Sequence, residues 1–167
     1  GELNACFGNE KSGRILLIGN NSRLLANYFL TLGFKLDTID LSPNVTKIVR
    51  EFIGSMYRKS LFKFITKDFL KKEYYENTFD FIFLYNYWQI VPQDSELKVL
   101  CALKKILKPE GRIFVNIKHT TIDHEEWKIY LSGNEKLNYF LKSTTKKSFE
   151  NATEKVNFHS ECIIDSD

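Results

Sequence analysis

The chain has 167 residues, of which 43% are hydrophobic and 14% aromatic, and this composition excludes a disordered protein. Its 24 Lys and Arg against 21 Asp and Glu give a net charge of +3, too small by itself to indicate a nucleic-acid partner. Three cysteines without a Cys-x-x-Cys pair indicate neither a zinc ribbon nor a disulfide framework. The sequence shows neither a secretion signal nor a membrane-spanning run, so we expect a soluble, cytoplasmic protein with no membrane partner.

Strands and helices are predicted to alternate between residues 14 and 118. The predicted strands are Arg14–Gly19, Lys35–Asp40, Leu61–Thr66, Phe79–Tyr85 and Arg112–Ile117. Predicted helices start at Ser22, at Ser42-Pro43 and at Pro92–Ser95, and Gly33 ends the first of them. This order predicts an α/β fold: a three-layer, Rossmann-like sandwich with a mostly parallel central sheet and helices on both faces.

The pattern is weaker after Lys118. We predict one helix around Trp127–Leu131, a second over Leu137–Leu141 and a last strand at Val156–Ile164. Residues 1–167 are expected to form a single domain with a core at 14–118 and a less regular part at 119–167. Cys101 lies on the apolar face of the third predicted helix, so a buried position is expected for it.

The first strand, its turn and the second strand have the layout of a unit that binds a nucleoside-containing cofactor. The strand ends at Gly19, where backbone can approach a ligand, and Asn20, Asn21 and Ser22 follow before the helix. About twenty residues on, Asp40 ends the second strand, where a carboxylate accepts hydrogen bonds from ribose hydroxyls. The alternative role for Asp40 is a solvated strand end or a cap for the next helix.

Together with Asp68 after the third strand and the Leu107-Lys108-Pro109-Glu110-Gly111 turn before the fifth, these pieces resemble the class I S-adenosylmethionine-dependent methyltransferases. Within them, Gly19-Asn20-Asn21-Ser22-Arg23-Leu24, Leu32-Gly33-Phe34 and Ile39-Asp40-Leu41-Ser42 resemble eukaryotic methyltransferase-like enzymes that modify lysines of elongation factor 1-alpha. The resemblance implies S-adenosyl-L-methionine as cofactor and protein methylation as activity. One turn residue and a second glycine of that motif are missing here.

The resemblance also implies which residues form the site. The expected cofactor-binding residues are Gly19, Asn20, Asn21, Ser22, Arg23, Asp40, Leu41, Asp68, Phe69 and Tyr85. Arg23 would face the carboxylate of the cofactor's methionyl tail, and Asp68 with Phe69 would serve the adenine, although Asp68 is equally suited to a plain helix cap. Tyr85, Asn86, Tyr87 and Trp88 follow the fourth strand, where they would line the acceptor site or, alternatively, form an apolar lip over the sheet end. No catalytic base is identified.

The predicted function is methyl transfer to a nucleophilic acceptor, with a protein lysine as best candidate. The alternative is a degenerate domain that acts as a non-catalytic binding module, and a nicotinamide-dependent oxidoreductase fits less well because Gly19 is the only glycine of its turn. A partner subunit that completes an open site is compatible with either of the first two functions. One remaining polar group, His119, Asp123, His124 and Glu125, lacks His-Glu-x-x-His spacing, so a solvated loop and no metal are expected.

Overall fold

The computed structural model describes residues 7, 10, 12–19, 23–85, 87–88, 91–118, 125–131, 137–138 and 161–162. Its strands are β1 (Arg14–Gly19), β2 (Lys35–Asp40), β3 (Phe62–Thr66), β4 (Phe79–Tyr85), β5 (Leu107–Lys118), β6 (Glu125–Leu131), β7 (Leu137–Asn138) and β8 (Glu161–Cys162). Its α-helices are α1 (Arg23–Thr31), α2 (Pro43–Gly54) and α3 (Glu96–Ile106). Short 3-10 helices lie at Lys59–Leu61, Phe69–Lys71 and Gln93–Ser95.

Six strands form one sheet in the order β3-β2-β1-β4-β5-β6. The first five run parallel to one another, and β6 pairs antiparallel with β5. The predicted Rossmann-like sandwich is confirmed. Among the described residues, no helix is long and apolar enough to cross a membrane.

The strands are apolar on both faces because helices cover both sides of the sheet. Leu16 and Ile18 of β1 pack with α3 on one face, whereas Ile15 and Leu17 pack with α1 and α2 on the other. Phe7 joins the second cluster, with its ring centroid 4.7 Å from that of Phe34. These two apolar layers hold the parallel strands in register.

The end of α1 and the start of α2 follow the sequence prediction, whereas the predicted Ser22 cap of α1 lies outside the described residues. Gly33 has a φ of 99° after α1, a conformation that glycine adopts without strain. Ser42 caps α2 by accepting a hydrogen bond from the Val45 amide at 3.3 Å, and Pro43 occupies the first helical position. The helix therefore begins three residues after Asp40, with the Ser42 cap between them.

The predicted helix at Trp127–Leu131 is wrong, because these residues belong to β6, which pairs with β5 along its whole length. Trp127, Ile129 and Leu131 alternate with Lys128 and Tyr130, and this period of two fits a strand once an adjacent sheet edge is available.

The predicted helix at Leu137–Leu141 is also wrong where it is described, since Leu137–Asn138 form β7. Of the predicted strand at Val156–Ile164, the described part is β8 (Glu161–Cys162), which pairs with β7.

The predicted turn at 109–111 is an interruption within β5 rather than a turn before it. Phe79 and Phe81 of β4 pair with Leu107 and Arg112, so β5 contains three extra residues across that step. Lys108 from this bulge contacts Asp80 through an ion pair of 2.9 Å. Cys101 of α3 is exposed, which corrects its expected burial: the apolar stripe of α3 consists of Val99, Leu100, Leu103 and Ile106 instead.

Candidate functional site

The strand order reverses direction between β1 and β4, since β2 lies on one side of β1 and the later strands on the other. In open parallel sheets a crevice forms at such a point, outside the carboxyl ends of the strands. Gly19 and Tyr85 end β1 and β4 and pair with each other, and Asp40 ends β2 opposite Thr66. The fold thus brings the carboxyl ends carrying Gly19, Asp40 and Tyr85 to one edge, as predicted.

Gly19 has a conformation and surroundings that no other residue fits. Its φ is 115°, and an added Cβ would overlap the backbone oxygen of Tyr85 and lie 3.1 Å from the Tyr87 Cβ. Sequence reasoning placed Gly19 next to the cofactor but missed that Tyr87 packs directly on it. Asn20, Asn21 and Ser22, which complete the predicted turn, lie outside the described residues.

Asp40 is half-buried and held in place by the start of α2. Its Oδ1 accepts a hydrogen bond of 2.7 Å from the Ser42 amide, and the Thr46 hydroxyl donates to the Ser42 carbonyl at 2.8 Å. The neighbouring Leu41 is 62% exposed. A fixed carboxylate beside an exposed apolar side chain suits a ribose and an adjoining flat ring.

Asp68 has the capping role that the sequence offered as its alternative. Its Oδ1 accepts a hydrogen bond of 3.0 Å from the Leu70 amide at the start of the 3-10 helix Phe69–Lys71. Phe69 is 4% exposed and belongs to the core cluster on the α3 face. The adenine-binding role of Asp68 and Phe69 stays a prediction.

Arg23 is exposed at the first residue of α1, and its guanidinium carbon lies 5.3 Å from the centre of the Phe52 ring on α2. A cation over an aromatic face is stabilised by the ring quadrupole. The contact ties the start of α1 to α2. The expected contact between Arg23 and a cofactor carboxylate stays a prediction.

The aromatic residues at the end of β4 and just after it are packed against the sheet rather than extended from it. Trp88 is 2% exposed within the α3-side cluster, and Tyr85 packs against the opposite cluster. The Tyr87 ring meets that of Phe69 edge-on at 6.4 Å. This packing is compatible with the apolar lip that was the alternative to an acceptor pocket; the acceptor role of these residues stays a prediction, and Asn86 lies outside the described residues.

The Tyr87 phenol stays protonated at neutral pH. Burial, with a smaller contribution from the Asp68 carboxylate, raises the pKa of Tyr87 to about 12. A phenol with this pKa donates a hydrogen bond and is a poor proton acceptor. Next to Gly19 and Asp68, Tyr87 is suited to orienting a bound molecule rather than deprotonating one.

The remaining predicted polar group is only partly described. His119, Asp123 and His124 lie outside the described residues, and Glu125 is the first residue of β6.

Comparison with known proteins gives the family. The family model described as "Methyltransferase domain" matches residues 16–115, more than half of the chain. The curated phosphoethanolamine N-methyltransferase 2 of Caenorhabditis elegans is 30% identical over 144 residues, which cover 82% of this chain and 31% of that protein. The chain therefore spans about a third of the length of this curated relative.

Solved structures share the fold at low sequence identity. A SAM-dependent methyltransferase from Aquifex aeolicus superposes with a TM-score of 0.64 at 17% identity, covering 90% of this chain and 77% of that chain. Geranyl diphosphate C-methyltransferase from Streptomyces coelicolor, solved with S-adenosyl-L-homocysteine, superposes with a TM-score of 0.58 at 11% identity, covering 69% and 41%. The likeness to the elongation factor 1-alpha lysine methyltransferases is not supported by these comparisons.

Proposed function

Because the chain belongs to the methyltransferase-domain family, we propose that it transfers a methyl group from S-adenosyl-L-methionine to an amine nitrogen. S-adenosyl-L-methionine is the cofactor of this family. The observation that carries the proposal is the carboxyl-terminal edge at β1 and β4, where the strand order reverses: Gly19 permits close packing of backbone, and Asp40 presents a fixed carboxylate. Those residues fit the cofactor, since a carboxylate there accepts hydrogen bonds from ribose hydroxyls.

When bound, the cofactor supplies an electrophilic methyl group on a sulfonium. The chain's own residues would bind and align it: Asp40 would hold the ribose, Leu41 would offer an apolar surface to the adenine, and Gly19 would keep the crevice open. Positioning and exclusion of water account for most of the acceleration that such a transfer needs.

An amine acceptor has to be unprotonated before it attacks, because its lone pair forms the new bond. Tyr87, with a pKa of about 12, stays protonated at neutral pH and does not take that proton. Deprotonation by solvent before binding is sufficient for this chemistry. No catalytic base on the chain is required.

Two amine acceptors are supported by different observations. The C. elegans relative is named for phosphoethanolamine, a small molecule, and its match covers most of this chain. The Gly19–Leu24 motif resembles that of lysine-modifying enzymes, which supports a protein side chain. We favour the small amine because its support extends over 144 residues, whereas the motif covers six.

The test is transfer of a tritiated methyl group from S-adenosyl-L-methionine. The full chain is incubated with phosphoethanolamine or with a dephosphorylated control, ethanolamine, and in parallel with cell protein; label is then counted in the soluble and precipitated fractions. Label in phosphoethanolamine that is lost in Asp40→Asn supports the proposal. Label only in protein would replace the small amine by a lysine-type acceptor. Binding of S-adenosyl-L-homocysteine without transfer to either would contradict catalysis.

The last outcome corresponds to a non-catalytic binding module, which one observation favours. Of the residues expected at the acceptor site, Trp88 is buried in the core and Tyr87 packs against that core beside Phe69. A module that binds the cofactor without methylating anything would retain the Asp40 effect on affinity. Affinity and transfer measured on the same preparation separate the two functions.

A further inference from the structure

A cleft of about 650 Å³ lies between the carboxyl-terminal half of α2 and strand β3. It is lined by residues of both elements and of the connection between them, including Arg50, Gly54, Lys59, Phe62 and Phe64. Clefts of about 300–1,000 Å³ are the size of small-molecule sites. This one flanks the amino-terminal half of β3, whereas the candidate cofactor residues follow the carboxyl ends of the strands.

The apolar wall of the cleft comes from two rings of β3. Phe62 and Phe64 meet edge to face, with ring centroids 5.3 Å apart. Opposite them, Gly54 leaves the helix side open: an added Cβ would meet nothing nearer than Phe62 Cζ, at 3.9 Å. The cleft thus depends on the missing side chain at position 54, and a large side chain there would fill it.

The charged wall of the cleft is cationic. Arg50 is fixed by a hydrogen bond of 2.7 Å from its Nη2 to the Phe64 carbonyl, and Lys59 also lines the cleft. Among the described residues, Glu51 is the one acidic residue that lines the cleft beside these two cations.

The surrounding segment has the same charge. Residues 47–72 carry eight of the 24 Lys and Arg and two of the 21 Asp and Glu, so their net charge is +6 and that of the remaining chain is −3. Seven of these eight cations are exposed. Such a local excess of charge attracts anions.

An added β-strand is a poor occupant for this edge. The Lys67 amide donates to the Asp40 carbonyl of β2 at 3.0 Å. Successive residues of a strand direct their backbone N–H and C=O groups to opposite sides, so those of Phe64, three residues earlier, point away from β2. The outward Phe64 carbonyl accepts a hydrogen bond from the Arg50 side chain, so it is not available to the backbone of an additional strand. Recognition here therefore comes from side chains.

We propose that the α2–β3 cleft is a binding site for an amphiphilic anion, with its apolar chain or ring against Phe62 and Phe64 and its phosphate or carboxylate between Lys59 and Arg50. The site is separate from the cofactor crevice, and it does not depend on the proposed methyl transfer. The same chemistry is offered by a free amphiphile and by an anionic lipid in a bilayer.

The probe is 1-naphthyl phosphate, titrated into the full chain while amide proton–nitrogen NMR spectra are recorded. We expect saturable shifts of the Arg50, Gly54 and Lys59 amides, and much weaker effects of inorganic phosphate and of neutral naphthalenemethanol. Gly54→Leu should abolish binding because its side chain fills the cleft, whereas Gly54→Ala should leave affinity within about threefold. Lys59→Glu should weaken binding at least about fivefold, which corresponds to the upper end of an exposed ion pair.

Vesicles distinguish the two sources. Sedimentation with phosphatidylglycerol vesicles but not with phosphatidylcholine vesicles, lost in Gly54→Leu, assigns the site to a lipid; naphthyl phosphate binding without sedimentation assigns it to a free amphiphile. The proposal is overturned by an absence of shifts at millimolar probe. Equal shifts in Gly54→Leu with an unchanged circular dichroism spectrum, or shifts that map to Gly19, Asp40 and Asp68, would overturn it too.

Discussion

Replacement of Asp40 by Asn tests the cofactor site at its most specific residue. Asn keeps an oxygen that can accept the 2.7 Å hydrogen bond from the Ser42 amide, so the start of α2 should be preserved. It removes the negative charge that strengthens hydrogen bonds from ribose hydroxyls. The variant therefore separates cofactor binding from local structure better than Asp40→Ala, which would also remove the acceptor for Ser42.

The expected magnitude follows from the bonds concerned. A hydrogen bond to a charged group contributes about 1.5–3 kcal/mol, and about 1.4 kcal/mol corresponds to a tenfold change in affinity. Asp40 is half-buried, so solvent only partly screens its charge. Asp40→Asn should bind S-adenosyl-L-homocysteine at least about tenfold more weakly than the parent, with a urea unfolding free energy within about 1 kcal/mol of it.

The assay is isothermal titration calorimetry with S-adenosyl-L-homocysteine, and Asp80→Asn is the matched control. Asp80 accepts bonds from the Arg14 amide at 2.8 Å and from the Lys108 ammonium at 2.9 Å, near the amino-terminal ends of the strands. Its replacement should lower stability while leaving affinity unchanged. Equal affinity of Asp40→Asn and the parent would refute the placement of the ribose at Asp40.

Three further substitutions test the scaffold. Gly19→Ala should lower the urea unfolding free energy by about 2 kcal/mol or more, because φ is 115° and the new Cβ overlaps the Tyr85 carbonyl. The control Gly54→Ala, at an ordinary helical φ, should not destabilise the chain. Equal effects of the two substitutions would contradict a special conformation at Gly19. The pKa of Tyr87 rises from 10.0 to about 12 on folding, so the folded state holds the phenol proton more tightly than the unfolded state does. The free energy of unfolding is therefore unaffected at lower pH and falls between about pH 10 and about pH 12. Tyr87→Phe should lessen that fall in urea titrations, and an unchanged pH profile would be inconsistent with a buried phenol. Asp37→Asn breaks a 2.8 Å ion pair with Arg14 in which the Asp37 side chain is 5% exposed, so it should lower the urea unfolding free energy by about 3 kcal/mol. The control Glu76→Gln, at an exposed ion pair with Lys105, should lower it by less than about 0.5 kcal/mol. A similar small loss for both would rule out the Arg14–Asp37 pair as a stabilising contact.

Most of the central sheet could be predicted because its strands and helices carry local signals. β1 is apolar throughout, Ser42-Pro43 marks the start of α2, and Gly33 marks the end of α1. The alternation of strands with helices along the chain then predicts parallel pairing of the strands. In a parallel sheet the carboxyl ends of the strands lie at one edge, so Gly19, Asp40 and Tyr85 are expected there together.

The errors arose where tertiary pairing decides the structure. The apolar residues of Glu125–Leu131 fit a helix as well as a strand. The strand forms because this segment pairs antiparallel with β5 at the edge of the sheet. The Lys108–Gly111 bulge depends on the ion pair of Lys108 with Asp80, a contact that no local pattern contains.

Within the site, a similar limit applies to the aromatic residues. Sequence position placed Tyr87 and Trp88 after β4, but whether they line a pocket or pack inward depends on Phe69, which comes from a different connection. The contact of Asp40 with the start of α2 was predictable because a carboxylate two residues before the Ser42 cap lies within reach of the Ser42 amide; its ribose-binding role stays a prediction. No sequence motif predicts the cleft beside Gly54, because the cleft forms only where α2 packs beside β3.

The most direct test of the central claim is a calorimetric titration of the full chain with S-adenosyl-L-methionine and S-adenosyl-L-homocysteine, with NAD as control. The account predicts micromolar, one-to-one binding of the first two compounds and none of NAD. Absence of binding by both, or tighter binding of NAD, would contradict a cofactor site at the carboxyl ends of β1 and β2.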